Sequence, residues 1–219
     1  MPPTSRIIHT DRFGHPSSGF KLGMGIRHED EMPLGLRLKG HAFFEMRDAK
    51  SGRILTKFDK KNIITLDAGI MAARLFKDPL EPAHGINMLA IGTGATGSIL
   101  SPDAPGSAQR KLNAEIQRKT FAATTFRDAG GNAVSIPTNI VDFTVSYGEA
   151  EAVGPLTEMG LVSTISDNTG ILNPNPNAYP TRDVTVDLTL YDVLINYLTF
   201  PVISKPSTAI LTITWRLSF

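Results

Sequence analysis

The sequence predicts a mainly β protein: an antiparallel β-sandwich with one or two short helices and an extended N-terminal arm. Three observations predict it. First, residues 207–219 (STAILTITWRLSF) alternate strictly. Ala209, Leu211, Ile213, Trp215, Leu217 and Phe219 fall on one face, and Ile210, Thr212, Thr214, Arg216 and Ser218 on the other. Side chains of a strand point to opposite faces with a period of two, and β-branched and aromatic residues favour strands. This stretch therefore reads as an interior strand, pairing with segments far back in the chain. Second, about nine or ten stretches read as strands, set apart by turn residues, against one clear helix and one candidate. Third, strands follow strands instead of alternating with helices, which favours two packed sheets over βαβ units.

Residues 1–36 read as the arm, and residues 37–219 as the sandwich domain. Pro2, Pro3, Gly14, Pro16, Gly19 and Gly23 punctuate the arm, and no strand or helix period persists in it. Ile7, Ile8, Phe13 and Phe20 make it too apolar for a purely solvated tail, so an arm laid along a neighbouring subunit fits both facts, as does a segment wrapped on its own domain. Residues 36–47 then read as a strand, 48–52 as a turn with Gly52 free to take positive φ, and 53–58 as the returning strand. Residues 66–76 are the clear helix. Thr65 is its N-cap, Asp67 sits in the first turn and Pro79 lies beyond its end. Leu66, Ile70 and Ala73, with Met71 and Leu75 beside them, make the expected buried stripe.

Further on, residues 86–91 read as a strand. Residues 107–118 are a candidate helix with Leu112 and Ile116 inward. Residues 119–127 are a strand, 128–132 a turn and 133–136 a short strand. Val141, Phe143, Val145 and Tyr147 alternate with Asp142, Thr144 and Ser146 in a half-buried strand. Strands are also expected at 156–163, 184–190 and 198–203. Residues 166–182 form a long turn-rich excursion, and connections of that length are usually functional or disordered.

Composition narrows the function. The 219 residues contain no Cys, which excludes thiol catalysis and disulfide stapling. A chain this long buries roughly 70% of its unfolded surface and needs neither staple nor metal to fold. No apolar run reaches the ~18 residues of a membrane span, and the first residues lack the apolar stretch of a signal peptide. Residues 1–80 carry 14 Lys+Arg against 9 Asp+Glu, a balance of +5; residues 81–219 carry 8 against 12, a balance of −4. That asymmetry suits docking of a basic front half on an acidic surface such as a neighbouring copy. No dense basic run interleaved with aromatics marks a nucleic-acid binder.

No motif carries chemistry in its required context. Gly92, Gly94 and Gly97 match G-x-G-x-x-G after a strand, but 98–106 (SILSPDAPG) cannot open the helix whose N-terminus would meet a pyrophosphate. A tight turn at a strand end explains them better. His9, His15, His28, His41 and His84 are scattered without metal spacing. His28, Glu29, Asp30 and Glu31 read as a solvated charge run. Glu149, Glu151 and Glu158 are the carboxylates to consider for glycoside chemistry, which needs two across a cleft; Glu149 and Glu151 fall in an exposed turn region. There is no G-x-S-x-G elbow. The sequence thus assigns no catalytic, cofactor-binding or metal-binding residue and predicts a protein that is not an enzyme.

The order of several short motifs is informative as a set. It runs through Asn62-Ile-Ile-Thr-Leu-Asp-Ala-Gly, Met88-Leu-Ala-Ile-Gly-Thr-Gly-Ala-Thr, Leu112-Asn-Ala-Glu-Ile-Gln-Arg, Phe143-Thr-Val-Ser-Tyr-Gly-Glu-Ala, Thr157-Glu-Met-Gly-Leu and Leu211-Thr-Ile-Thr-Trp. Over residues 37–219 this resembles a widespread group of tailed-bacteriophage virion structural proteins, often labelled tail-fibre or tail-associated. The resemblance implies a non-enzymatic virion component, most naturally of the tail, that acts by assembly with other virion proteins and as a homo-oligomer. It carries over no catalytic residue. A capsid cement protein and a host-glycan-binding module are the competing expectations. Nucleic-acid contact and a membrane span are not expected.

Overall fold

The computed structural model describes residues 38–77, 85–164 and 192–219. The arm, the 166–182 excursion, the 184–190 strand, and His9, His15, His28 and His84 lie outside the described residues. The described chain runs β1 (Lys39–Asp48), β2 (Ile54–Lys61), β3 (Ile63–Ile64), α1 (Leu66–Lys77), β4 (Met88–Gly92), β5 (Gly97–Ser98) and β6 (Ser101–Pro102). It continues through β7 (Glu115–Thr120), β8 (Ala123–Arg127), β9 (Ala133–Val134), β10 (Ile140–Tyr147), β11 (Gly154–Ser163), β12 (Val193–Leu194), β13 (Asn196–Lys205) and β14 (Ala209–Ser218).

These strands form two antiparallel sheets packed face to face, as the sequence predicts. The first has the order β2-β1-β14-β10-β8-β9. The second has the order β3-β13-β11-β4-β7, with β12 also on β11. A small ribbon, β5–β6, stands apart from both sheets. The terminal strand is interior: β14 pairs β1 on one side (Ala42 opposite Trp215) and β10 on the other (Phe143 opposite Trp215). Its apolar face is buried from Ala209 to Leu217, and Trp215 is wholly inaccessible. Phe219 departs from the prediction. It is 48% exposed, since the strand ends at Ser218.

The core between the sheets takes one face of every long strand. Phe44 and Phe58 stack at 4.3 Å, and Phe44 meets Phe200 edge-on at 5.0 Å. Leu89, Ile91, Met159, Leu161 and Leu198 fill it from the second sheet. That sheet is covered on its far face as well, where Ala90, Leu112, Val162, Leu194 and Tyr197 form a smaller cluster. A sheet buried on both faces loses polar alternation, which is why β4 (MLAIG) reads as a continuous apolar run.

Local signals place the hairpin and the helix correctly. Gly52 takes φ +70° in the β1–β2 turn, and Thr65 caps α1 by accepting the Ala68 N–H at 3.3 Å. The buried face of α1 is only partly the predicted one. Asp67, Ala68 and Met71 face inward; of the expected stripe Met71 is buried and Ile70 half-buried, while Leu66, Ala73 and Leu75 are exposed. The candidate helix at 107–118 is absent; residues 107–114 are an irregular connection of a turn and bends, and Glu115–Thr120 is a strand. The strand expected at 119–127 is two. β7 belongs to the second sheet and β8 to the first, and the chain crosses between them at Phe121 and Ala122.

Candidate functional site

Three polar constellations are the places where the described residues could support chemistry. The first lies on the far face of the second sheet. Glu158 sits on β11 opposite Gly92 and is wholly buried. Its Oε1 accepts the N–H groups of Gly94 at 2.9 Å and Ala114 at 2.7 Å. Its Oε2 accepts the Asn113 N–H at 3.0 Å and the Tyr197 hydroxyl at 2.5 Å. Four donors therefore converge on one carboxylate, which fills the capacity of both oxygens. Burial, and then the neighbouring Glu158, push the Tyr197 hydroxyl far above the usual tyrosine range.

This cluster explains the glycines. A Cβ on Gly94 would meet the Ala114 backbone nitrogen inside van der Waals contact and lie 2.7 Å from Glu158 Oε1. Gly94 does not adopt positive φ. It is glycine because the loop must approach the carboxylate and the 113–114 backbone closely. No phosphate cradle is formed, for these N–H groups are already given to Glu158.

The second constellation is a buried ion triad. A bulge at Ile116 on β7, opposite the Ile91–Gly92 step of β4, shifts the register, so Ala90 faces Arg118 and Gly92 faces Glu115. Residues three apart in a strand normally point to opposite faces; the bulge puts Glu115 and Arg118 on one. Arg118 donates Nε and Nη2 to Glu115 at 2.6 and 3.0 Å, and Nη1 to Asp192 Oδ2 at 2.6 Å. Burial pulls Arg118 down, but Glu115 and Asp192 together hold it above its ordinary value. It remains an arginine locked as a cation between two carboxylates. Sequence reasoning missed this triad, because a bulge has no signature in composition and Asp192 lies 74 residues from Arg118 along the chain.

The third is the outer face of the first sheet. Asp142 on β10 accepts Arg216 Nε at 2.7 Å and Nη2 at 2.9 Å, and Arg127 Nε at 2.8 Å. Burial raises its carboxyl, but the Arg216 and Arg127 guanidinium groups prevail and hold it below the usual aspartate range. One row along, Arg216 lies 5.6 Å from the Phe43 ring centre, and His41 stacks on that ring at 4.6 Å. His41 Nε2 lies 2.6 Å from Asp59 Oδ2. Thr144 and Thr214 hydroxyls meet at 3.2 Å. The face is a lattice of ion pairs and hydroxyls around the Phe43 ring.

The candidate carboxylates do not form a pair across a cleft. Glu158 is sealed beneath the glycine loop. Glu151 accepts Lys119 Nζ at 2.6 Å and the Gly148 N–H at 2.7 Å. Burial raises its carboxyl, and these bonds more than offset that. Glu149 is exposed in the same turn, where its carbonyl and that of Gly148 lie 3.4 and 2.7 Å from the buried Lys205 ammonium. Among the described residues, no three His, Cys, Asp or Glu gather as a metal site, and no helix is long and apolar enough to cross a membrane. No protein-family model matches the chain, and no curated protein matches it.

Proposed function

We propose that this chain is a non-enzymatic structural protein of a bacteriophage virion, most naturally a tail component at a fibre attachment, collar or baseplate periphery, that works by assembly with neighbouring virion proteins. One observation carries the reading. The buried polar groups of the second sheet's far face are committed to internal bonds, Glu158 to four donors and Arg118 to two carboxylates. An active site keeps such groups poised toward a cleft; here they fasten loops to a sheet. The outer face of the first sheet, with its exposed charges and hydroxyls, suits contact with a protein surface. The ordered motifs from Asn62 to Trp215 supply the virion resemblance.

Immunogold electron microscopy tests this on particles of the phage that carries the gene, with an antibody raised against residues 37–219. Label on the tail is the expected outcome. Label spread over the capsid would replace the tail reading with a cement protein, and particles without label would remove the virion role.

A further inference from the structure

We infer that a second copy of this chain pairs with the open edge of β2, the two β2 strands meeting antiparallel across a twofold axis at Phe58 and joining the two first sheets into one. This inference concerns self-association alone and holds whether or not the chain belongs to a virion.

β2 is an edge. It pairs β1 on one side, and among the described residues no strand lies on the other. The Asn62 N–H donates to Gly40 O at 3.2 Å, so Asn62 turns its backbone toward β1. Strand residues turn their N–H and C=O groups to alternate sides. Phe58 and Lys60 therefore bond to β1, while Lys57, Asp59 and Lys61 present their backbone groups to the open side. The register with β1 is unbroken from Thr56 to Lys61. A regular open edge of this kind templates a further strand.

The side chains choose the occupant and its register. Lysines on an edge strand oppose pairing when they face one another, and β2 carries Lys57, Lys60 and Lys61. About a dyad at Phe58 none of them does. Lys57 falls opposite Asp59 of the second copy, Asp59 opposite Lys57, Lys60 opposite Thr56, and Lys61 opposite Leu55. The neighbouring registers fail. A dyad at Lys57 sets that lysine against itself. One at Asp59 sets Asp59 against itself and Lys57 against Lys61, and one at Lys60 again opposes two lysines. A dyad at Thr56 runs Lys60 and Lys61 into the hairpin turn at Gly52 and Ser51. The stretch from Lys57 to Asp59 is thus self-complementary, as a twofold contact demands.

Lys57 and Asp59 are exposed and keep capacity for these contacts. Lys57 Nζ lies 3.1 Å from Glu45 Oε2, and Asp59 Oδ2 lies 2.6 Å from His41 Nε2. An ammonium has three donors and a carboxylate two acceptor oxygens. The cross-copy pair therefore adds to these bonds and links them into one row across both copies. On the core side, Phe58 stacks on Phe44 at 4.3 Å but stays half-buried at the rim of the sheet. At the dyad it meets Phe58 of the second copy in a pair without backbone bonds, where facing side chains come closest. That contact removes its exposed edge from water. Lys60 is held clear of the dyad, its Nζ donating to Thr199 O of β13 at 2.9 Å.

The chain has no Cys, so introduced thiols are the only ones present. Full-length Lys57→Cys and Asp59→Cys proteins, each checked for a wild-type circular dichroism spectrum, are mixed under mild oxidation. A mixed pair keeps one of its two Lys57–Asp59 contacts. The expected result is a disulfide-linked heterodimer forming about tenfold faster than either homodimer, because only the mixed pair brings the two thiols opposite each other. Either homodimer forming as fast as the heterodimer, or no cross-link at all, overturns the inference. In sedimentation equilibrium Lys57→Glu and Asp59→Lys should each associate about tenfold more weakly than the wild type, and the double variant should recover most of that loss. A wild-type chain that stays monomeric at every concentration, or a double variant no tighter than the single ones, overturns it as well. Amide exchange at Lys57, Asp59 and Lys61 should slow as concentration rises. Protection that does not depend on concentration would give the edge to another part of the same chain, and so also overturns the inference.

Discussion

Tyr197 on β13 donates its hydroxyl to Glu158 on the adjacent strand β11 at 2.5 Å, and so completes the set of four donors around that carboxylate. The bond joins the second sheet to the loop after β4 and to the 113–114 turn. Replacing Tyr197 by Phe removes one donor and leaves three, at a cost of about 1–2 kcal/mol. Glu158→Gln costs more, because an amide nitrogen must then face backbone N–H groups that can only donate. Chemical denaturation of both variants checks the order. Equal stabilities would mean that the carboxylate does not organise the loop.

Gly94→Ala is expected to destabilise the fold by about 1–3 kcal/mol through overpacking. The added methyl meets the Ala114 backbone and Glu158, neither of which can withdraw without breaking the latch. Thermal melts measure this, and added NAD or FAD should leave the midpoint of the wild type unchanged. A nucleotide-dependent rise would restore the phosphate-binding reading of this loop.

Trp215 is wholly buried at the centre of β14, with its indole N–H 3.3 Å from Asn62 Oδ1. Trp215→Ala should cost about 3–5 kcal/mol. The wild-type fluorescence should be blue-shifted, and an emission maximum typical of water would contradict the interior position of this strand.

Asp142 gives the fold an acid-sensitive component. Its carboxyl is held below the ordinary 3.8. As pH falls, the unfolded chain takes up the proton first. The stabilisation is therefore present above about pH 4 and is lost as pH drops through the folded value. Asp142→Asn should cost about 1–3 kcal/mol at neutral pH, by leaving Arg127 and Arg216 without their shared acceptor. The gap between variant and wild type should narrow toward pH 3. Denaturation curves across that range decide it, and a gap independent of pH would show that the ion pairs contribute nothing.

Much of this architecture was legible, and the failures have physical causes. The alternation at 209–217 marked both the strand and its buried face, because that sheet keeps one polar side. Helix periodicity located α1 and placed Met71 inward, but not Asp67 and Ala68. Leu66, Ile70 and Ala73 form as regular a stripe as Asp67, Ala68 and Met71, and only the partner surface chooses between them. The crossing at Phe121 and Ala122 left no mark, since a period of two runs on unbroken when a chain changes sheet. Leu112 and Ile116 have helical spacing, yet the backbone at 113–114 is claimed by Glu158, a contact 44 residues away for Ala114. The ion triad depended on a bulge, which shifts register without any composition signal. Glu158 was among the carboxylates singled out, and its environment, not its spacing, gives it a fastening role.

The arm offers a separate test. Every strand pair of the two sheets among the described residues lies within residues 39–218. A chain beginning at Leu36 should therefore fold with a cooperative melt, and in an infection complemented with it should fail to enter particles. Insolubility would place the arm in the domain's own core. Normal incorporation would move the docking surface elsewhere, with residues 166–182 the next segment to delete.

The proposed virion role makes this chain a built-in part of the particle. Quantitative mass spectrometry of gradient-purified, salt-washed particles decides it. The chain should be present in every preparation, at a constant ratio to the major capsid protein and unchanged by high salt. Its absence from washed particles, while it remains abundant in the lysate, would overturn the virion role.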